Sequence, residues 1–198
     1  MKRLIGIASA LLMAGSVLHA QDASELKKEN ESLKRKLAEL EASATQNSAQ
    51  QTIDRKAGIR RKSAEERKIY TPEQLREIES LYQSANKNLK NPEAKSALKS
   101  LIEKYPKANR TGCAVQYVAQ LSEGQEREDY LKLAIKDFGD CFYGNGVQVG
   151  AYARFYLGFY YQKAGKTAEA KALFDEIRKD YPDAINHKGK RLVDLLPK

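Results

Sequence analysis

The residues best placed to do chemistry crowd into one short stretch, CFYGNGVQVG, from Cys141 to Gly150. Its glycines tempt a phosphate-cradling reading. Gly144, Gly146 and Gly150 are spaced GxGxxxG, however, one residue longer than the dinucleotide fingerprint, and no strand is expected ahead of them. A nucleotide site is not expected. Cys141 and Cys113 are the chain's two cysteines, and without a CxxC they do not read as a redox pair. Apart from His19 near the start, one histidine remains, His187, too few for a Ser/His/Asp or Cys/His set. There is no HExxH, no calcium loop and no zinc knuckle. The carboxylates are spread among lysines as helix-surface charge. The chain therefore reads as a non-enzyme with no cofactor and no metal. What is left is aromatic surface: of 11 tyrosines and 5 phenylalanines, half lie between Phe142 and Tyr161. Tyr152, Phe155 and Phe159 are spaced to share one helix face. Such a stripe packs a core as readily as it lines a groove, and both readings stand at this point.

These residues need elements to position them. The chain opens MKRLIGIASALLMAGSVLHAQDA. A positive start at Lys2 and Arg3, an apolar run from Leu4 to Leu18 and a small residue at Ala20 make a secretory signal over residues 1–20. The alternative is a retained N-terminal anchor. The expected location is periplasmic or secreted. The formal net charge of +9 stays clearly positive without Lys2 and Arg3. That suits an acidic partner, a cell-wall polymer or anionic lipid rather than nucleic acid, or simply solubility.

Residues 21–45 carry a heptad. Leu26, Leu33 and Leu40 fall at position d, and Ala23, Asn30, Leu37 and Ala44 at position a. A lone Asn at an a position fixes register and oligomer number. In a parallel pair the flanking charges Asp22–Lys27, Glu29–Lys34 and Lys36–Glu41 all attract. A homo-oligomeric coil, dimer or trimer, is expected through Leu26, Asn30, Leu33, Leu37 and Leu40. Residues 46–70 then read as a polar and basic linker, its opening SATQNSAQQTI as linker or frayed helix. The cationic run 55–68 is either a solvated segment or a site for an anionic partner. Thr71 and Pro72 mark a helix start as N-cap and first helical residue.

From residue 71 to 198 the apolar spacing is helical and recurs. ALKSLIEKYPKA, YLKLAIKDFGDC and ALFDEIRKDYPDA each end in an aromatic and a stop, at Pro106, Gly139 and Pro182. The first interval fits a period of 34; the second is about nine residues too long. The surplus falls on residues 141–150, which read as an insertion between repeats with Asn145-Gly146 at its turn. The last unit resembles a tetratricopeptide repeat. Leu157, Gly158, Tyr161, Ala170, Phe174 and Pro182 stand in that register, with Gly165 as the C-cap of its first helix and Thr167 as the N-cap of its second. The first unit matches at Leu81, Ala94, Leu98 and Pro106; the middle one poorly, with Arg127 where a small residue belongs. INHKGKRLVDLLPK reads as a short terminal helix capping the array.

The expected fold is thus all-α: a coiled-coil helix followed by a short tetratricopeptide-like array. Signal, coil, linker and repeats together resemble the periplasmic cell-division coordinators of the Tol–Pal system. That resemblance implies oligomerisation through the coil and binding of an envelope protein or peptide through the repeats. The resemblance of the last unit to a tetratricopeptide repeat places Tyr152, Phe155, Phe159 and Gln162 on the concave side as partner-binding residues. Export and an even cysteine count suggest a Cys113–Cys141 disulfide, against the alternative of two buried free thiols. The functional expectation is an exported adaptor in envelope maintenance or division. The alternative is a protein that binds cell wall or another anionic surface through residues 55–68.

Overall fold

A computed structural model describes the backbone of residues 4–88 and 91–197, and the side chains of residues 23–88, 91 and 93–197. Lys2 and Arg3, on which the signal reading rests, lie outside the described residues, as does the side chain of Asp22. Among the described residues the secondary structure is helical. It comprises α1 (Leu4–Ile69), α2 (Pro72–Asn86), α3 (Pro92–Lys104), α4 (Asn109–Leu121), α5 (Gly124–Asp137), α6 (Val149–Lys163), α7 (Thr167–Asp180) and a 3-10 turn at Val193–Leu195. The chain divides into two compact units, residues 1–50 and 51–198.

In the first unit the heptad leucines are bare. Leu26 is 65 % exposed, Leu33 57 %, Leu37 57 % and Leu40 66 %. Across residues 46–70, expected to start as a linker or frayed helix, helix continues through Ile69. No proline precedes Pro72, and Gly58 is the sole glycine between Gly15 and Pro72. The Ala, Gln, Lys, Arg and Glu that fill the segment are good helix formers.

The second unit holds the core. Each helix from α2 to α7 packs on the next, and α4 also touches both α2 and α6. These three form one layer, with α3, α5 and α7 behind. Leu98, Leu101, Leu131 and Ile177 are fully buried between them, each stabilising the fold by about 1.5–3 kcal/mol. At α2 Thr71 is the N-cap, as the sequence predicts, within a capping box: Thr71 Oγ1 accepts from Gln74 N–H and Gln74 Oε1 from Thr71 N–H. Gly165, at φ 76°, ends α6. Lys166 N–H donates to Tyr161 O and Gly165 N–H to Gln162 O, a Schellman pair. The N-cap of α7 is Lys166; Thr167 is already helical.

Residues 141–150 correct the expectation of an insertion. They form a tight hairpin. Tyr143 N–H donates to Val147 O, Gly146 N–H to Tyr143 O and Val149 N–H to Cys141 O, with Gly146 at φ 87°. This three-residue loop, closed by a left-handed glycine, is a common hairpin form. The same hairpin follows α7, 43 residues later. Asn186 N–H donates to Lys190 O, Gly189 N–H to Asn186 O and Leu192 N–H to Ala184 O, with Gly189 at φ 76°. The bridges Phe142–Gln148 and Ile185–Arg191 correspond, and both α5 and its counterpart α7 keep the same offset. The unit is therefore two helices and a hairpin, present twice, behind a first helix pair that lacks the hairpin. For the same reason the expected terminal helix is replaced by a hairpin and a 3-10 turn, which bury Leu192 and Leu196.

Residues 51–69 of α1 pack on this unit through a polar stripe. Lys62 pairs with Asp140 at 2.5 Å. The Glu66 carboxylate accepts from Asn109 N–H at 2.7 Å, capping α4, which has no side-chain cap of its own. Burial pushes the Glu66 carboxyl above its usual range. Gly58 lies against the Phe142 ring, where a Cβ would come within 2.9 Å.

Candidate protein-binding cleft

The aromatic cluster sorts into layers. Tyr143 is buried, its hydroxyl donating to Cys113 O at 3.3 Å. Its ring meets Tyr117 at 5.4 Å and His187 at 4.7 Å. His187 in turn meets Tyr152 at 5.1 Å, while Asn145 Nδ2 donates to His187 Nδ1 at 3.1 Å. The two hairpins are thus stitched to each other and to α4 and α6 through aromatic edges. Tyr152 is part of that seam, at 8 % exposure. The expectation that it faces a groove is corrected: the imidazole from the second hairpin packs on its ring.

The other predicted residues are more exposed. Phe155 and Phe159 are half-buried and pack edge to face, ring centres 4.8 Å apart, with Phe174 5.1 Å from Phe159. Gln162 is exposed, but it borders a different depression with Thr167, Phe174 and Pro197. Tyr152 stacks on Phe155 at 6.2 Å, so the three rings are continuous and Gln162 lies beyond them.

An open cleft lies one residue around the helix. Ala119 and Gln120 of α4, Arg127 and Leu131 of α5, and Tyr156, Phe159, Tyr160 and Lys163 of α6 line a depression of about 370 Å³. Tyr156, Tyr160 and Lys163 follow helical spacing, so one face of α6 supplies half the wall. Leu131 anchors the floor at 2 % exposure, and the Tyr160 hydroxyl is fixed by donating to Gly124 O at 3.1 Å. Arg127, which the sequence marks as a misfit, donates from Nε to Ser122 O at 2.7 Å and Ala119 O at 3.3 Å. It holds the end of α4 over the cleft. Behind the cleft, Glu128 accepts from Tyr161 at 2.8 Å and pairs with Lys132 and Lys166. The Lys132 ammonium, then the Tyr161 hydroxyl, hold its carboxyl down at about 2. This chemistry is that of an apolar surface with donors at its rim. Among the described residues no group of three or more His, Cys, Asp and Glu is placed to hold a metal ion.

The sequence profile of the Tetratricopeptide repeat family matches residues 79–108 and 152–184, which cover α3 and α7 and most of the helices before them. The helices form a tetratricopeptide-like repeat array, with the family match on its first and last pairs. Its middle unit, α4–α5 with the first hairpin, lies outside the matched residues. No curated protein and no solved structure matches the chain. Tetratricopeptide repeats are a frame for binding protein partners; here α4 and α6 wall the cleft and α5 closes its floor. The lining residues missed by sequence reasoning, Tyr117's neighbour Gln120 and the set Arg127, Tyr156, Tyr160 and Lys163, had one legible signal. Tyr156, Tyr160 and Lys163 form a stripe parallel to the one chosen, polar at one end.

The cysteines supply the last correction. Both are free and buried, so the expected bridge is not formed in this structure. Cys113 Sγ donates to Phe142 O at 3.5 Å, and Cys141 packs over Gly112, where a Cβ would meet its Sγ at 2.8 Å. Burial pushes the Cys141 thiol up to about 12 and Cys113 higher still.

Proposed function

We propose that this chain is an exported, non-enzymatic adaptor that takes a protein partner in the α4–α6 cleft and associates with its own kind through residues 22–44. The observation that carries the reading is the cleft itself: an open, aromatic-walled face on a repeat array. Apolar surface bordered by polar groups is what marks a site for a partner chain. The self-association half rests on Leu26, Leu33, Leu37 and Leu40, half to two-thirds exposed along one heptad seam. A short heptad of this kind is marginal alone and stabilised by a second copy. The envelope setting, maintenance or division, rests on the signal-like leader and on the order of coil and repeats. The reading with an anionic surface finds less support, because Arg55, Lys62 and Arg67 of the basic segment bond within the chain.

The test is capture from an envelope extract by the full chain, compared with Tyr160→Ala. Proteins held by the cleft should be recovered at least fivefold less by the variant, on the order of 1 kcal/mol of binding, at an unchanged melting temperature. An identical set of proteins from both would overturn the reading.

A further inference from the structure

The misfit at Arg127 has a counterpart in every helix pair. The residues at its place are Ala94 in α3 and Ala170 in α7, both buried at 3 % and 2 %. Small side chains there let paired helices approach closely. Arg127 breaks this rule in α5 alone, and a break of local consistency is expected where a site is built. Its two hydrogen bonds both leave from Nε, so neither Nη nitrogen is used by them. Across the cleft stand Lys163 and Gln120, and Gln120 Nε2 is buried without a partner among the described residues. Among the described residues no Asp or Glu lines the cleft. The nearest buried carboxylate, Glu128, is engaged with Tyr161, Lys132 and Lys166. The cleft therefore offers an apolar floor with three donors at the rim and no acceptor carboxylate to balance them.

We infer that the partner segment is an acidic one: an apolar side chain seated on Leu131, Tyr156 and Phe159, flanked by a carboxylate that takes the Arg127 Nη groups, Lys163 and the Gln120 amide. The inference rests on the cleft reading above and adds the chemistry of the occupant. Charge-assisted bonds of this kind are the strong ones, and a fixed guanidinium fork matches a carboxylate.

The experiment uses the isotope-labelled full chain and two capped synthetic pentapeptides, one alternating leucine with glutamate, the other leucine with glutamine. Side-chain NMR signals of Gln120 and Arg127 and the amide of Tyr160 report on the cleft. The glutamate peptide is expected to shift all three and to bind at least tenfold more tightly, which is about 1.4 kcal/mol. Arg127→Gln and Lys163→Gln should each bring that ratio to within about twofold. Lys163→Gln keeps the test sound should Arg127→Gln loosen α4. Equal affinities with cleft signals moving overturn the acidic preference and leave the cleft reading standing. If neither peptide moves the cleft signals, the inference falls, and the cleft is then judged by partner contact at Tyr160 alone.

Discussion

Gly150→Ala is the sharpest perturbation of the helix–helix–hairpin unit. A Cβ at Gly150 would lie 2.7 Å from both Cα and O of Gly139 and 3.1 Å from its carbonyl carbon. Ordinary contact needs most of an ångström more, and the obstacle is backbone. That backbone is held in place, since Gly139 O accepts from Gly150 N–H at 3.3 Å and from Gln148 Nε2 at 3.0 Å. Val149 N–H closes the same base onto Cys141 O at 2.9 Å. Overpacking against parts that cannot yield costs about 1–3 kcal/mol. The helix-propensity gain of Gly→Ala, at most about 1 kcal/mol, offsets little because Gly150 sits in the first turn of α6. A net loss of about 2 kcal/mol should lower the melting temperature by roughly 4–8 °C. Gly144→Ala is the control six residues away. Nothing lies within 4 Å of its Cβ and its φ is not left-handed, so it should be neutral or stabilising by up to about 1 kcal/mol. Thermal and urea unfolding of the full chain read both. A Gly150→Ala protein that melts with the parent, or a Gly144→Ala protein that loses as much, refutes the close glycine contact at the hairpin base.

Three further outcomes follow from named contacts. Cys113 and Cys141, both buried with raised pKa, should resist Ellman's reagent at pH 8 in the folded chain and react fully in urea; rapid labelling, or a cross-linked peptide, contradicts the free buried pair. Glu128 is held at about 2, below the unfolded carboxylate value of about 4.3. Its stabilisation is therefore present above that value and lost as pH falls through about 2. The stability gap between parent and Glu128→Gln should close on acidification from pH 5 to 2, as urea titrations at each pH would show. A gap that stays constant removes Glu128 from the account. Asn30→Leu should tighten self-association and loosen its stoichiometry in sedimentation, whereas a monomer in both forms at tens of micromolar removes the coil.

How much of this was legible depended on where each contact partner lay. Thr71-Pro72 and the register of Gly158, Tyr161, Ala170 and Phe174 were readable because their reasons are local. A Cβ on Gly158 would come within 2.4 Å of the Phe174 ring, a fit set within one helix pair. The second hairpin was not readable as a repeat of the first. Its backbone pattern recurs through hydrogen bonds, while the sequences YGNGV and NHKGK share one glycine in register. Tyr152 was misplaced because the ring that covers it, His187, arrives from that unread hairpin. The segment 51–69 was misread because its packing stripe, Arg55, Ile59, Lys62 and Glu66, is mostly charged, and a search for apolar period passes over it. Arg127 was visible as an anomaly, though its use as a clasp on the α4 carbonyls was not.

The central claim is that the α4–α6 cleft is where a partner chain sits. A photo-reactive phenylalanine analogue placed at Tyr160, and separately at the exposed Ala172 of α7, tests it in the cells that make the protein. The account predicts a cross-linked partner from position 160 that acquires no label from position 172. Its yield should fall when Lys163 is also changed to Glu. Adducts from both positions alike, or from position 172 alone, would contradict it.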